Sequence, residues 1–222
     1  MVKGLIFDVD GTLVDSMPDF CEMIQLFLSD LGLPSVSEQE IKKAIGKGAR
    51  NTMLKVLSLL NYDISGKEEQ LFSDFMFIYN SKPLDKSHLW PNVKTTLELL
   101  KLQGYKMSLC TNKPHLPAVH VTERLGIINY FSQITDAETK PYMKPDKRIV
   151  EFTADKMGIP LADCIFIGDS SVDIAAAKNA GIPSVLVSYG YESGDITSLN
   201  ADYIIDDFAK LTEVLNKLNQ KR

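Results

Sequence analysis

Two aspartates two positions apart, Asp8 and Asp10, stand at the end of the apolar run Gly4-Leu5-Ile6-Phe7, with Gly11 and Thr12 directly behind them. On an extended strand that spacing turns both carboxylates to one side, and Gly11 lets the chain turn sharply beside them. Two like charges about 4 Å apart repel by about 4 kcal/mol at an effective dielectric near 20. Such a pair is tolerated with a cation between the groups or with one of them protonated. Three further places offer polar groups after apolar runs: Thr111 and Asn112 after residues 106–110, Lys144-Pro145 further on, and Gly168, Asp169, Ser170, Ser171 and Asp173 after residues 164–167. Acids, a hydroxyl, an amide and a lysine make a site that handles charge and protons. Asp169 and Ser170 also suit helix N-caps, an alternative that leaves the Asp8–Asp10 pair unexplained.

The elements that must position these groups follow from periodicity. From Met17 to about Tyr79 nothing alternates as a strand does. Phe20, Met23, Ile24, Phe27 and Leu31 recur at helical spacing before a stop at Gly32. Met53, Leu54, Leu57 and Leu60 repeat that pattern, as do Leu71, Phe75 and Ile78. About four helices are expected here, with residues 81–91, rich in turn formers, as the hinge that brings the chain back. A second rhythm then sets in, of helix, glycine and short strand, with the stops at Gly104, Gly126, Gly158 and Gly181. Strands are expected over residues 106–110, 164–167 and 183–187, shorter ones over 132–135 and 202–205, and a final amphipathic helix through Phe208, Leu211, Val214, Leu215 and Leu218. The predicted class is α/β: a doubly wound, Rossmann-like parallel sheet formed by residues 1–15 and 85–222, with residues 16–84 as an inserted α-helical cap domain. In such sheets ligands bind beyond the carboxyl ends of the strands, where the acids stand.

Composition narrows the partners. The 222 residues carry a net charge of −5, whereas nucleic acid requires a basic footprint; no nucleic-acid partner is expected. The start of the chain is too short in apolar residues for a signal core or a span, so no membrane association is expected. Cys21, Cys110 and Cys164 lack disulfide or zinc spacing and read as reduced thiols, so a cytoplasmic location is expected; a monomer or homodimer is expected as well. His88, His115 and His120 show no metal spacing, and no phosphate-binding loop of the Gly-x-x-x-x-Gly-Lys-Ser/Thr type occurs.

Asp8-Val-Asp10-Gly11-Thr12, Thr111-Asn112, Lys144-Pro145 and Gly168-Asp169-Ser170-Ser171-Val172-Asp173 stand in the order of the four motifs of the haloacid dehalogenase superfamily, and the whole chain resembles a phosphatase of that family. The resemblance implies Asp8 as the nucleophile that forms an aspartyl-phosphate and Asp10 as the acid that protonates the leaving oxygen and then activates water. It implies a Mg²⁺ ion held by the Asp8 carboxylate, the Asp10 carbonyl and the Asp169 carboxylate. It also implies Thr111 and Lys144 on the phosphoryl oxygens, with Thr12 and Asn112 in the substrate-binding set. Ser170 and Asp173 are supporting residues, Asp173 serving the metal shell or Lys144. Lys140-Pro141 is a second Lys-Pro; Lys144 is preferred because Pro145-Asp146 opens the next helix well.

An acid at position 10 sets the chain apart from dehalogenases of the family and favours phosphoester chemistry. The segment from Asp10 to Asp19 resembles the start of phosphoglycolate phosphatases, as does Ile45-Gly46-Lys47-Gly48-Ala49-Arg50 in the insert. Gly46, Lys47, Gly48 and Arg50 are therefore expected to hold the carboxylate of a small phosphorylated metabolite such as phosphoglycolate; a helix–turn–helix junction with Gly46 as C-cap is the alternative. A sugar phosphomutase of the β-phosphoglucomutase kind, a pyrophosphatase, and an inactive phosphate-binding protein are the rival functions. The hinge reads Trp90-Pro91-Asn92 where relatives have Pro-Gly, and Asn92 is expected to take the left-handed turn.

Overall fold

Strand β1 (Gly4–Phe7) is buried at all four positions, which only a strand covered on both faces of its sheet can be. Leu5 and Phe7 enter one apolar cluster and Ile6 the other, following the two-residue alternation of a strand. The computed structural model describes residues 1–45 and 48–220. Among these, β1, β4 (Lys106–Cys110), β5 (Ile134–Thr135), β6 (Cys164–Gly168), β7 (Ser184–Val187) and β8 (Tyr203–Ile205) form one parallel sheet in the order β5-β4-β1-β6-β7-β8. The order reverses direction at β1, so the crevice beyond its carboxyl end is the place where such a sheet receives ligands.

Helices α7 (Lys147–Met157) and α8 (Ser171–Ala180) pack Ile149, Val150, Ala154, Ala176 and Ala177 with Ile6 and Phe166. The opposite cluster joins Leu5, Phe7, Leu109, Ile167 and Val185 to α5 (Val93–Leu102), α6 (His115–Arg124) and α9 (Leu211–Gln220). It runs on without a break into α1 (Met17–Asp30), α2 (Glu38–Ala44), α3 (Ala49–Leu59) and α4 (Glu68–Ser81), the helices inserted after β1. There Phe27 and Phe75 meet edge to face at 5.3 Å between ring centroids, a preferred aromatic geometry.

The insert is entered and left through a ribbon unexpected from the sequence: β2 (Val14–Asp15) pairs antiparallel with β3 (His88–Leu89), Val14 opposite Leu89 and Asp15 opposite His88. The segment expected to be a plain hinge is thus pinned by two short strands, and the Trp90 amide adds a bond to the Leu13 carbonyl at 3.1 Å. Asn92 adopts φ 64° as expected, its amide donating to both Asp207 carboxylate oxygens at 3.0 and 3.1 Å. All four stop glycines lie at positive φ. Strands β5 and β8 are shorter than expected, two and three residues. No helix among the described residues is long and apolar enough to cross a membrane.

Candidate active site

The carboxyl end of β1 passes directly into Asp8, whose amide still bonds to the Ile167 carbonyl of β6 at 3.0 Å. The acid therefore leaves the sheet as a continuation of a strand buried on both faces. Lys144 reaches it from the loop before α7: its ammonium lies 2.8 Å from Asp8 Oδ1 and 2.7 Å from Asp173 Oδ1, and all three side chains are buried or nearly so. Burial by itself lowers the Lys144 ammonium; Asp173 and Asp8 outweigh it and hold the group well above the ordinary lysine value. Lysine has three N–H donors, and these acids engage two of them. Lys140, the rival lysine, lies instead over the Phe152 ring at 4.6 Å.

Asn112 fixes the Lys144 loop rather than reaching into the site alone. Its side-chain oxygen accepts from the Lys144 amide and its nitrogen donates to the Lys144 carbonyl, both at 3.0 Å. Thr111, buried after β4, accepts from the Lys113 amide at 3.2 Å. Ser170 caps α8 in a reciprocal box with Asp173: its hydroxyl donates to Asp173 Oδ2 at 2.6 Å. The capping alternative for Ser170 is therefore correct for its hydroxyl, and Asp173 divides its two oxygens between Lys144 and the start of α8.

Asp8, Asp169 and Asp173 offer one carboxylate oxygen each within 4.8 Å of one another. Burial raises the Asp8 carboxyl to about 6, with Lys144 opposing and Asp173 adding to the rise. Asp169 is pushed well above the usual carboxylate range, first by burial and then by Asp173 and Asp8. With Asp10 these are four carboxylates against the two buried ammoniums of Lys144 and Lys113, a formal excess of two negative charges. Clustered hard oxygen donors with that excess suit a divalent cation such as Mg²⁺. The space around the acids is kept by glycine: a Cβ at Gly11 would stand 2.2 Å from Asp169 Oδ2, and one at Gly190 2.3 Å from Asp169 Cβ.

Asp10 is compensated separately. Lys113 Nζ donates to its two oxygens at 2.9 and 3.1 Å and to the Tyr79 hydroxyl at 2.8 Å, while Ser16 Oγ donates to Asp10 Oδ1 at 2.6 Å. Spacing alone led to the expectation of a cation between Asp8 and Asp10 or of one group protonated; each carboxylate also has its own buried lysine. Lys113 carries no expectation from the sequence, although it follows Thr111-Asn112 directly. Tyr191, in the loop after β7, also lines the cleft. Its amide donates to Asp169 Oδ2 at 2.7 Å, and its hydroxyl donates to Asp15 Oδ1 at 2.8 Å while accepting from the Ser16 and Met17 amides at 2.7 and 3.0 Å.

A cavity of about 220 Å³ opens over these groups. Asp8, Asp10, Thr111, Asn112, Lys144, Asp169 and Ser170 line it from the sheet side, and the insert contributes Phe20, Lys42, Lys43, Thr52, Lys55 and Tyr79. That volume lies below the roughly 300–1,000 Å³ of sites for drug-sized ligands and suits a metabolite of a few carbons. Two expected ligand residues are turned elsewhere. Thr12 is closed to solvent and its hydroxyl donates to Asp169 Oδ1 at 3.2 Å, supporting that acid instead of a substrate. Arg50 is engaged by Glu69 at 2.8 Å and Glu68 at 3.0 Å and lies over the Phe72 ring, because α4 presents two acids to the start of α3. Gly48 does reach the cavity wall; Gly46 and Lys47 lie outside the described residues.

Residues 5–187 match the model of the haloacid dehalogenase-like hydrolase family. A phosphoglycolate phosphatase of Vibrio parahaemolyticus is 36% identical, with 96% of each chain covered, and one of Agrobacterium fabrum is 35% identical over 95% of this chain and 91% of its own. The crystal structure of a predicted phosphoglycolate phosphatase from Haemophilus somnus superposes with a TM-score of 0.89 at 34% identity, covering 96% of this chain and 98% of that one.

Proposed function

The chain belongs to the haloacid dehalogenase-like hydrolase family and is an enzyme of its phosphatase branch; on that premise we propose that it is a Mg²⁺-dependent phosphomonoesterase acting on phosphoglycolate or a close analogue. The observation that carries this reading is the convergence of Asp8, Asp10, Thr111, Lys144 and Asp169 on one small cavity whose other wall carries the cations Lys42, Lys43 and Lys55. Several ammoniums around so small a volume favour a substrate with a second anionic group beside its phosphate. Residues 16–84 act in this reading as a cap over the core formed by residues 1–15 and 85–222. The protein works in the cytoplasm.

Asp8 attacks phosphorus through the carboxylate oxygen directed to the cavity. The P–O bond to the leaving group breaks as the new P–O bond to Asp8 forms, and Asp10 delivers a proton to the departing oxygen. Asp10, now ionised, takes a proton from water as that water attacks phosphorus, and Asp8 is released. Thr111 and Lys144 hold the phosphoryl oxygens through both steps. Asp8, the Asp10 carbonyl and Asp169 would hold Mg²⁺, whose charge would let the two anions approach. The expected result of a screen across two-carbon phosphates, sugar phosphates, nucleotides and pyrophosphate is phosphate release that depends on Mg²⁺ and is fastest with phosphoglycolate. Isomerisation of a sugar phosphate without phosphate release would replace this reading with a mutase.

A further inference from the structure

We infer that Lys113 is a positioning residue for Asp10 and that Tyr79 makes that positioning depend on the helical insert. The inference rests on the reading of Asp10 as the acid and base of the reaction. It stands on the hydrogen-bond inventory of one buried ammonium.

A lysine ammonium has three donors and no acceptor. In Lys113 two go to the Asp10 oxygens, at 2.9 and 3.1 Å, and one to the Tyr79 hydroxyl at 2.8 Å. The Lys113 side chain is 1% exposed. Its hydrogen-bonding capacity is filled by protein groups, so it is not another cation for the substrate, although it stands on the cavity wall beside groups that are. Its effect on the substrate must pass through Asp10. That carboxylate is held unevenly: Oδ1 accepts from both Ser16 and Lys113, and Oδ2 from Lys113 at the longer distance. The less engaged oxygen, Oδ2, is the one the arrangement leaves for proton transfer.

The second half of the inference comes from where the partners sit. Asp10 and Lys113 follow strands β1 and β4 of the sheet, whereas Tyr79 lies in the last turns of α4. Its ring packs edge-on against Phe20 of α1 at 5.6 Å and against Phe75 at 6.2 Å, so its hydroxyl is carried by the packing of the insert. Withdrawal of α4 would leave Lys113 with one donor unfilled in a buried place, and such a donor is costly. The ammonium, and the carboxylate bound to it, then have reason to move. Asp10 is thus held in its working geometry when the insert is packed over the site.

The test compares the purified full chain with Lys113→Met, Lys113→Arg, Tyr79→Phe, Asp10→Asn and the double variant Asp10→Asn/Lys113→Met. Lys113→Met should lower kcat for phosphoglycolate by roughly 100-fold, the scale of general acid–base catalysis, with KM changed by less than about threefold. Lys113→Arg should recover part of that loss. The first-turnover release of nitrophenolate from 4-nitrophenyl phosphate should fall by less than about tenfold, because that leaving group departs without a proton. The double variant should be no slower than Asp10→Asn, since both substitutions remove one function. Multiplying losses, or a Lys113→Met kcat within about threefold of the wild type, would overturn the inference. If Lys113→Met does not fold, Tyr79→Phe decides: a kcat loss of about threefold or more at constant KM supports the coupling, and a wild-type kcat overturns it. Near wild-type turnover by Asp10→Asn would instead remove the acid–base reading on which the inference stands.

Discussion

The Lys144 ammonium lies 2.8 Å from the Asp8 carboxylate, so the candidate nucleophile is held by its own counter-charge within the protein. The same ammonium binds Asp173 at 2.7 Å, and the pair of contacts makes it the link between two acids. Removing one partner of a buried ion pair costs roughly 3–5 kcal/mol. Lys144→Met should therefore destabilise the metal-free protein by about that amount in urea unfolding, and Mg²⁺ should narrow the gap because it supplies the missing positive charge. An equal loss with and without Mg²⁺ would show that charge is not what Lys144 contributes.

Asp8→Asn tests the nucleophile itself. The side chain keeps its volume, so the variant should fold with unchanged circular dichroism, yet phosphate release should fall by about 10⁴-fold or more. Appreciable turnover in the folded variant would rule out a covalent aspartyl intermediate.

The pH dependence of stability has a definite sign. Asp8 is raised to about 6 from an ordinary 3.8, chiefly by burial, so between those values the folded chain binds the proton that the unfolded chain has lost. The stability from this group is fully present below the ordinary value and is lost as pH rises through about 6, at about 1.4 kcal/mol for each pH unit crossed between the two values. Asp169 acts in the same direction. In metal-free protein the unfolding free energy of Asp8→Asn relative to wild type should therefore rise from about pH 4 to pH 7, and Mg²⁺ should flatten that rise. A difference that does not change over this range would contradict the burial of the charge.

For the insert, substrate affinity should follow the lysines that face the cavity. Lys42→Ala or Lys55→Ala should raise KM for phosphoglycolate by about tenfold, the scale of one charge-assisted hydrogen bond. The same substitutions should change KM for an aryl phosphate by less than about threefold. Arg50→Ala should alter neither by much, because its guanidinium is already held by Glu68 and Glu69. A selective KM effect from Arg50 and none from the lysines would reverse the assignment.

The residues legible from the sequence are those whose neighbours in the chain explain them. β1, β4 and β6 announce themselves as apolar runs ending in polar groups, and Asn92 as a residue able to replace glycine at its turn. The ribbon of β2 and β3 gives no such signal, since two residues are too few to show a period. Lys113 is illegible for a different reason. Its meaning depends on Tyr79, 34 positions earlier in another layer, and a lone lysine after a strand reads as solvated. Arg50 and Thr12 are legible as polar residues near the right motifs, but their partners are not: α4 supplies the acids that draw Arg50 away, and Asp169 takes the Thr12 hydroxyl.

The crowding of Asp169 by Gly11 and Gly190 limits how such a protein could be redesigned. A single methyl group at either position would collide with the acid, so this part of the cleft floor offers no room for new chemistry by substitution. Engineering for a different ester, whether in the laboratory or by natural divergence, is left the helices α2 and α3, from which Lys43 and Lys55 line the cavity. The acids stand at the ends of the sheet's strands, whereas the lysines open to substitution stand on the inserted helices.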